Sequence, residues 1–152
     1  MFLSALLIAV ALLACVTDLL EQRIYNVLTF PALLVGVMMH VAGGVWWDGL
    51  AGAAAIGAPY FLLFAFNVMK AGDVKLLMAL GALGGWRFAL LLAFAAFVSS
   101  ALLHATVLVV ERRLGDVLRI MRPEWTPDHS FKTPFGVGIA LAVIGLLAIQ
   151  TG

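Results

Sequence analysis

Long apolar segments alternate with short clusters of charged residues along the whole chain. A helix needs roughly 20 apolar residues, with a range of about 17–25, to cross the hydrocarbon core of a bilayer. Five of the uncharged windows reach this length, and the fourth in order does not. The pattern therefore predicts an all-α integral membrane protein with six transmembrane helices and a short fourth helix. The uncharged windows are 1–17, 24–47, 49–69, 76–86, 88–110 and 133–152.

The short fourth helix requires an adjustment of either the membrane or the helix position. The segment from Lys70 to Gly85 is about 24 Å long at 1.5 Å per residue, against a hydrocarbon core of about 30 Å. Either the bilayer thins there, or the cytoplasmic end of the helix is recessed below the surface. A recess would place Asp73 where water reaches and lipid does not, which is the tolerated surrounding for such a charge.

Composition and charge agree with this class and exclude others. Of the 152 residues, 64% are hydrophobic and 11% are charged, whereas roughly a quarter of the residues of soluble domains are charged. A formal net charge of +1 gives no reason to expect a nucleic-acid partner, and a single cysteine excludes an internal disulfide. We therefore expect one membrane-embedded domain covering 1–152.

The basic residues predict the orientation in the membrane. In a six-helix topology, Arg87 lies on one side with Asp48, and the other Lys and Arg residues lie on the opposite side. The positive-inside rule makes the richer side cytoplasmic, so both termini are expected to face outward. The cytoplasmic basic residues are Arg23, Lys70, Lys75, Arg112, Arg113, Arg119, Arg122 and Lys132.

The stretch 111–132 is the only sizeable polar part of the sequence, and we expect it to be a cytoplasmic loop. Its apolar residues recur at helical spacing on one face, so the loop is expected to lie on the lipid headgroups. A docking surface for a membrane-bound substrate is the alternative, and the two roles are compatible. The apolar residues are Leu114, Val117, Leu118 and Met121.

Other features predict helix packing rather than chemistry. Small residues recur every fourth position in two predicted helices, which lets helix backbones approach closely. His40 and His104 lie in apolar windows without an acidic residue nearby in sequence, so we expect packing or a helix–helix hydrogen bond from them. The small residues are Gly49, Ala53 and Gly57 in one helix, and Gly81 and Gly85 in another.

Two aspartates lie at the ends of predicted membrane helices, where ionisable side chains are functional candidates. Asp18 ends the first helix and Asp73 begins the fourth. Because the second helix leads away from the cytoplasmic side and the third returns, both aspartates are predicted at the same level. Asp48 falls on the opposite side, so its replacement by Ala is expected to be close to neutral.

A close pair of carboxyl groups shares one proton near neutral pH, because two adjacent negative charges repel each other. One group can then take a proton from water while the protonated group polarises a peptide carbonyl, as in aspartic proteases. This chemistry requires no metal ion and no cofactor, and no residue cluster in the sequence has metal-ligand spacing. On spacing alone, an interfacial ion pair of Asp18 with Arg23 or Lys75 is an equally good interpretation.

The sequence around both aspartates resembles the signatures of type IV prepilin peptidases. The segment 17–29, with Asp18 near its start, resembles the first signature, and Ala71-Gly72-Asp73-Val74-Lys75 resembles the second, GxGD-type signature. The start of the last apolar window, 134–140, is similar to the start of the family's last helix. The compact size is most similar to the short enzymes of tight-adherence (Flp-type) pilus systems. Two positions depart from the pattern: Lys70 replaces the first Gly, and Tyr25 replaces the usual Pro.

The resemblance implies that Asp18 and Asp73 are the catalytic pair of a membrane aspartic endopeptidase. Such enzymes cut the leader of prepilins and pseudopilins, typically after a Gly, at the cytoplasmic face of the bacterial inner membrane. The expected partners are therefore a prepilin, with its basic leader and apolar helix, and membrane lipid. Substrate binding or support of the active site is expected from Gly72, Lys75, Arg23 and Asn26.

Other functions stay open on the sequence. Larger relatives also methylate the new N-terminus and carry a zinc-binding cysteine region that this sequence lacks, so methylation is not implied. A GxGD protease that cuts within transmembrane helices is a second enzymatic interpretation. From a different class, a non-catalytic pilus-assembly component or a small transporter would use the carboxylates as structure or as a proton relay.

Overall fold

The computed structural model describes residues 2–21, 23–66, 69–110 and 135–151, and all regular structure in these ranges is helical. Each of these helices is at least 17 residues long. In chain order the helices are α1 (Phe2–Glu21), α2 (Asn26–Ala42), α3 (Trp46–Ala65), α4 (Ala71–Val110) and α5 (Phe135–Thr151).

Three helical segments in the described ranges are long and apolar enough to cross a membrane, namely α1, α3 and Ala71–Leu102 of α4. Two shorter apolar helices, Asn26–Ala42 and Gly136–Ile149, accompany them. The structure is therefore consistent with an all-α membrane protein. Six crossings and a recessed fourth helix stay predictions, and the loop expected at 111–132 lies outside the described residues.

The predicted fourth and fifth helices form one element of 40 residues that is broken at Gly85. Gly85 has φ 78° and ψ 174°, a conformation that glycine adopts without the steric cost of a Cβ. Before the break, Gly81 packs on Gly52 of α3. After it, the Tyr60 hydroxyl of α3 donates to the Ala93 carbonyl oxygen at 2.7 Å. Because Tyr60 lies two helical turns beyond Gly52, the second part of α4 runs back along α3.

The helix α3 and the first part of α4 approach each other closely. A Cβ added at Gly81 would lie only 2.6 Å from the Gly52 carbonyl oxygen, so the two backbones touch. The sequence predicted Gly81 on such a face, but its partner Gly52 was not among the predicted small residues. Gly85 has a different role, since its positive φ breaks the helix.

The first part of α4 is the central helix of the bundle. Its leucines are completely buried, and α4 packs against each of the other four helices. Burying a leucine side chain stabilises the fold by about 1.5–3 kcal/mol, so this segment is firmly held at the position where its first turn carries Asp73. The buried leucines are Leu76, Leu77, Leu80 and Leu83.

Candidate active site

Asp18 and Asp73 line one cavity of about 350 Å³ at the end of the bundle where α1 ends and α4 begins. The two side chains are only 2% and 1% exposed, respectively. This juxtaposition is the one that the order of the helices predicted. The cavity is lined by Asp18, Arg23, Ile24, Tyr25, Asn26, Lys70, Gly72 and Asp73.

Asp18 is held by the first turn of α5. The backbone N–H of Gly136 donates to Asp18 Oδ2 at 2.9 Å in a buried contact. The first four N–H groups of a helix have no partner within the helix, so this carboxyl group satisfies one of them. The ion-pair interpretation predicted a basic side chain beside Asp18. The hydrogen-bond partner in the structure is a backbone donor instead.

Asp73 occupies the third position of α4, where its own N–H donates to the Lys70 carbonyl oxygen at 3.1 Å. Its Oδ2 atom is buried and has no hydrogen-bond partner among the described residues. Gly72 permits close packing here, because an added Cβ would lie 3.2 Å from Ile24 Cβ. The link between α1 and α2 therefore closes tightly over the start of α4.

Among the predicted supporting residues, Lys75 contacts a neighbouring helix, whereas Arg23 lines the cavity. Lys75 points to α2, where its Nζ donates to Asn26 Oδ1 at 3.1 Å and lies 5.7 Å from the Phe30 ring centroid. Arg23 lines the cavity and is exposed. Lys75 thus holds Asn26 at the cavity wall.

Both departures from the family pattern lie in the cavity wall. Tyr25 and Lys70 are exposed residues that line it. The Tyr25 hydroxyl donates to the Glu21 carboxylate across the end of α1. Tyr25 and Lys70 can therefore influence what enters the cavity, although neither of them is one of the two aspartates.

One contact of the site and one contact at the opposite end of the bundle escaped the sequence reasoning. The donor for Asp18 is a backbone group far along the chain, and the only signal was the Gly136-Val137-Gly138 spacing at the start of the last apolar window. His40 was expected to pack or to make a helix–helix hydrogen bond, and its Nε2 lies 3.4 Å from Asp48 Oδ2 of α3, an acidic neighbour that the sequence did not indicate. The side chain of His104 lies outside the described residues.

Metal-ligating side chains do not converge in the part of the chain that the structure describes, where no group of three or more His, Cys, Asp or Glu is found. The cavity instead brings together two carboxyl groups, those of Asp18 and Asp73. Such a pair can exchange protons with a water molecule and a carbonyl oxygen.

Comparison with known families gives one match. The family model described as the type IV leader peptidase family matches residues 5–105, which is more than half of the chain and contains both Asp18 and Asp73. No curated protein and no solved structure matches the chain.

Proposed function

The chain belongs to the type IV leader peptidase family, and we propose that it is an aspartic endopeptidase that removes the leader of a prepilin or pseudopilin. Asp18 and Asp73 are the catalytic pair in this proposal. The observation that carries it is the presence of both buried carboxyl groups in one cavity, with Asp73 Oδ2 unpartnered among the described residues. Family membership supplies the reaction class, namely hydrolysis of a peptide bond.

The reaction follows from a carboxyl pair that shares one proton. The ionised group takes a proton from water, and the water oxygen attacks the peptide carbonyl carbon. At the same time the protonated group gives its proton to the carbonyl oxygen, which produces a neutral gem-diol. In the second step the amide nitrogen receives a proton from one carboxyl group, and the other takes a hydroxyl proton. The C–N bond breaks, and the pair returns to its starting state.

The surroundings of the cavity suit a substrate that is partly inserted in the membrane. The cavity opens at the ends of apolar helices, so a scissile bond next to an apolar helix can reach it while that helix stays in the bilayer. Arg23 and Lys70 in its wall are two of the basic residues that the positive-inside rule places in the cytoplasm. We therefore propose cleavage at the cytoplasmic face of the bacterial inner membrane.

The direct test is cleavage of a purified prepilin by the purified protein in detergent. Asp18→Asn and Asp73→Asn should each lower kcat by more than about 1000-fold, because removing one member of a catalytic pair costs nearly as much activity as removing both. Asp48→Asn is the matched control, since Asp48 is an aspartate at the opposite end of the bundle, where its carboxyl oxygens contact Trp86 and His40. Its kcat should stay within about twofold of the wild type. Wild-type cleavage by the Asp18 or the Asp73 variant would contradict the proposal.

A further inference from the structure

We propose that the first turn of α5 sets different roles for the two aspartates. It holds Asp18 in the ionised form, as the general base, and leaves Asp73 as the protonated general acid. The inference rests on the proposed function and deepens it, because a symmetric carboxyl pair would not specify which member takes the proton from water. Gly136 is the positioning residue in this arrangement.

The Gly136 N–H is a donor that favours a charged acceptor. It is the second residue of α5, so its N–H has no intrahelical partner. The N-terminus of a helix also carries a partial positive charge that stabilises anions. At 2.9 Å from Asp18 Oδ2, in a buried site, a donor of this kind stabilises the carboxylate more than the carboxylic acid.

The start of α5 is fixed on a second side by α4. The Ser99 hydroxyl donates to the Gly138 carbonyl oxygen at 2.7 Å. A Cβ added at Gly138 would lie 2.6 Å from Ser100 Oγ, and one added at Gly136 would lie 2.9 Å from both Cβ and Oδ2 of Asp18. Two glycines thus seat the turn between α1 and α4, and only glycine brings the N–H this close to Asp18.

Asp73 also lies in the first turn of a helix, that of α4, but it differs from Asp18 in its hydrogen-bond partners. Its Oδ2 has no partner among the described residues, and the side chain is 1% exposed. A second negative charge beside ionised Asp18 would be costly in such a site. The shared proton therefore resides on Asp73, whose acidic hydrogen can meet a substrate carbonyl oxygen.

Other ionisable groups around the pair do not reverse this assignment. Those in the cavity wall are exposed, so water screens their charges. On α1, Cys15 lies one turn before Asp18, and the described part of α5 contains no ionisable side chain. The groups in the cavity wall are Arg23, Tyr25 and Lys70.

In the first chemical step, Asp18 accepts a proton from water while the water oxygen bonds to the carbonyl carbon. Asp73 delivers its proton to the carbonyl oxygen, so the gem-diol is neutral and the proton has moved between the aspartates. In the second step, Asp18 returns its proton to the amide nitrogen, Asp73 takes a hydroxyl proton, and the C–N bond breaks. Free acid, free amine and the original proton distribution result.

The decisive experiment removes the donor without adding an atom. Cell-free translation with glycolic acid at position 136 replaces the Gly136 N–H by an ester oxygen in the full chain. The acid limb of the kcat profile reports ionisation of the base, so it should move to higher pH by about one unit, with KM within about twofold. An ester at Gly145 is the control for the backbone substitution itself, because it removes an N–H of the same helix nine residues beyond Gly136. It should leave the limb unchanged.

A second variant tests the same contact by adding a methyl group at position 136. Gly136→Ala keeps the N–H but pushes Asp18 away, so it should lower kcat at least tenfold and move the limb in the same direction. The limb position does not depend on the fraction of folded enzyme, so both variants stay informative if yields fall.

A wild-type acid limb in the ester and Ala enzymes would overturn the assignment of roles. That result would leave the proposed function intact if Asp18→Asn and Asp73→Asn still abolish cleavage. Activity in those Asn variants would instead remove the proposed function itself.

Discussion

Asp73 and Asp48 lie at opposite ends of the bundle and differ in the hydrogen-bond partners of their carboxyl oxygens. At the candidate active site, Asp73 Oδ2 has no hydrogen-bond partner within the described residues. At the other end, Asp48 Oδ1 accepts from the Trp86 N–H at 3.1 Å, and Asp48 Oδ2 lies 3.4 Å from His40 Nε2. A cavity of about 400 Å³ opens there as well. Cavity size therefore does not distinguish the two ends, whereas the partners of the carboxyl oxygens do.

The difference follows from what each end must accomplish in the fold. The chain reverses at Gly85, and the helix that restarts there exposes N–H groups that require an acceptor. Asp48 of α3 provides it across the helix interface. A fully partnered carboxylate has little capacity left to move protons, while Asp73 keeps a free oxygen. The two oxygens of Asp48 both have partners, and this separates it from the proposed catalytic pair, in which Asp73 Oδ2 has none among the described residues.

The largest effect is expected from a substitution in the first part of α4. This segment connects the two ends of the bundle. Gly81→Leu would force its side chain against the Gly52 carbonyl oxygen, 2.6 Å from the position of the new Cβ. Overpacking of this kind costs about 1–3 kcal/mol, and more where backbone must move. We expect a lower midpoint of thermal unfolding in detergent and at least a tenfold loss of kcat, because Asp73 is displaced.

Gly145→Leu is the control for this experiment, since an added Cβ at that position of α5 meets nothing within 4 Å. It should unfold and cleave like the wild type. Wild-type stability and cleavage in Gly81→Leu would show that the helices adjust freely, and that the two ends are not rigidly connected.

A smaller effect is expected at the opposite end, and on stability alone. Asp48→Ala removes the acceptor of the Trp86 N–H and the partner of His40, so unfolding should become easier by about 1–3 kcal/mol. The nearly neutral effect that the sequence predicted concerns cleavage, and that prediction stays; the two contacts add an expected effect on stability. Asp48→Asn should recover part of the loss, because its side-chain oxygen can still accept from Trp86. In both variants, kcat per folded enzyme should match the wild type, and a tenfold loss would contradict the separation of the ends.

The sequence predicts those features of this molecule that depend on local pattern and on the order of the helices. Apolar windows located the helices, and the alternation of helix direction brought Asp18 and Asp73 to one end. Sequence reasoning missed contacts made by backbone atoms, such as the Gly136 N–H on Asp18, because the Gly136-Val137-Gly138 spacing does not reveal which residue the backbone contacts. It also identified no acidic neighbour for His40, since only the turn between α2 and α3 brings Asp48 within reach.

The smallest effect comes from a matched pair of cations, one at each end. Lys75 Nζ lies 5.7 Å from the Phe30 ring centroid, and the Arg87 guanidinium lies 5.5 Å from that of Trp86. Exposed cation–π contacts contribute about 0.5–1 kcal/mol, so Lys75→Met and Arg87→Met should lower stability by similar small amounts. Only Lys75 also donates to Asn26 in the cavity wall. Lys75→Met should therefore lower kcat/KM by about threefold to tenfold, whereas Arg87→Met should leave it unchanged. Equal kcat/KM in the two variants would show that Asn26 does not need this contact to shape the cavity.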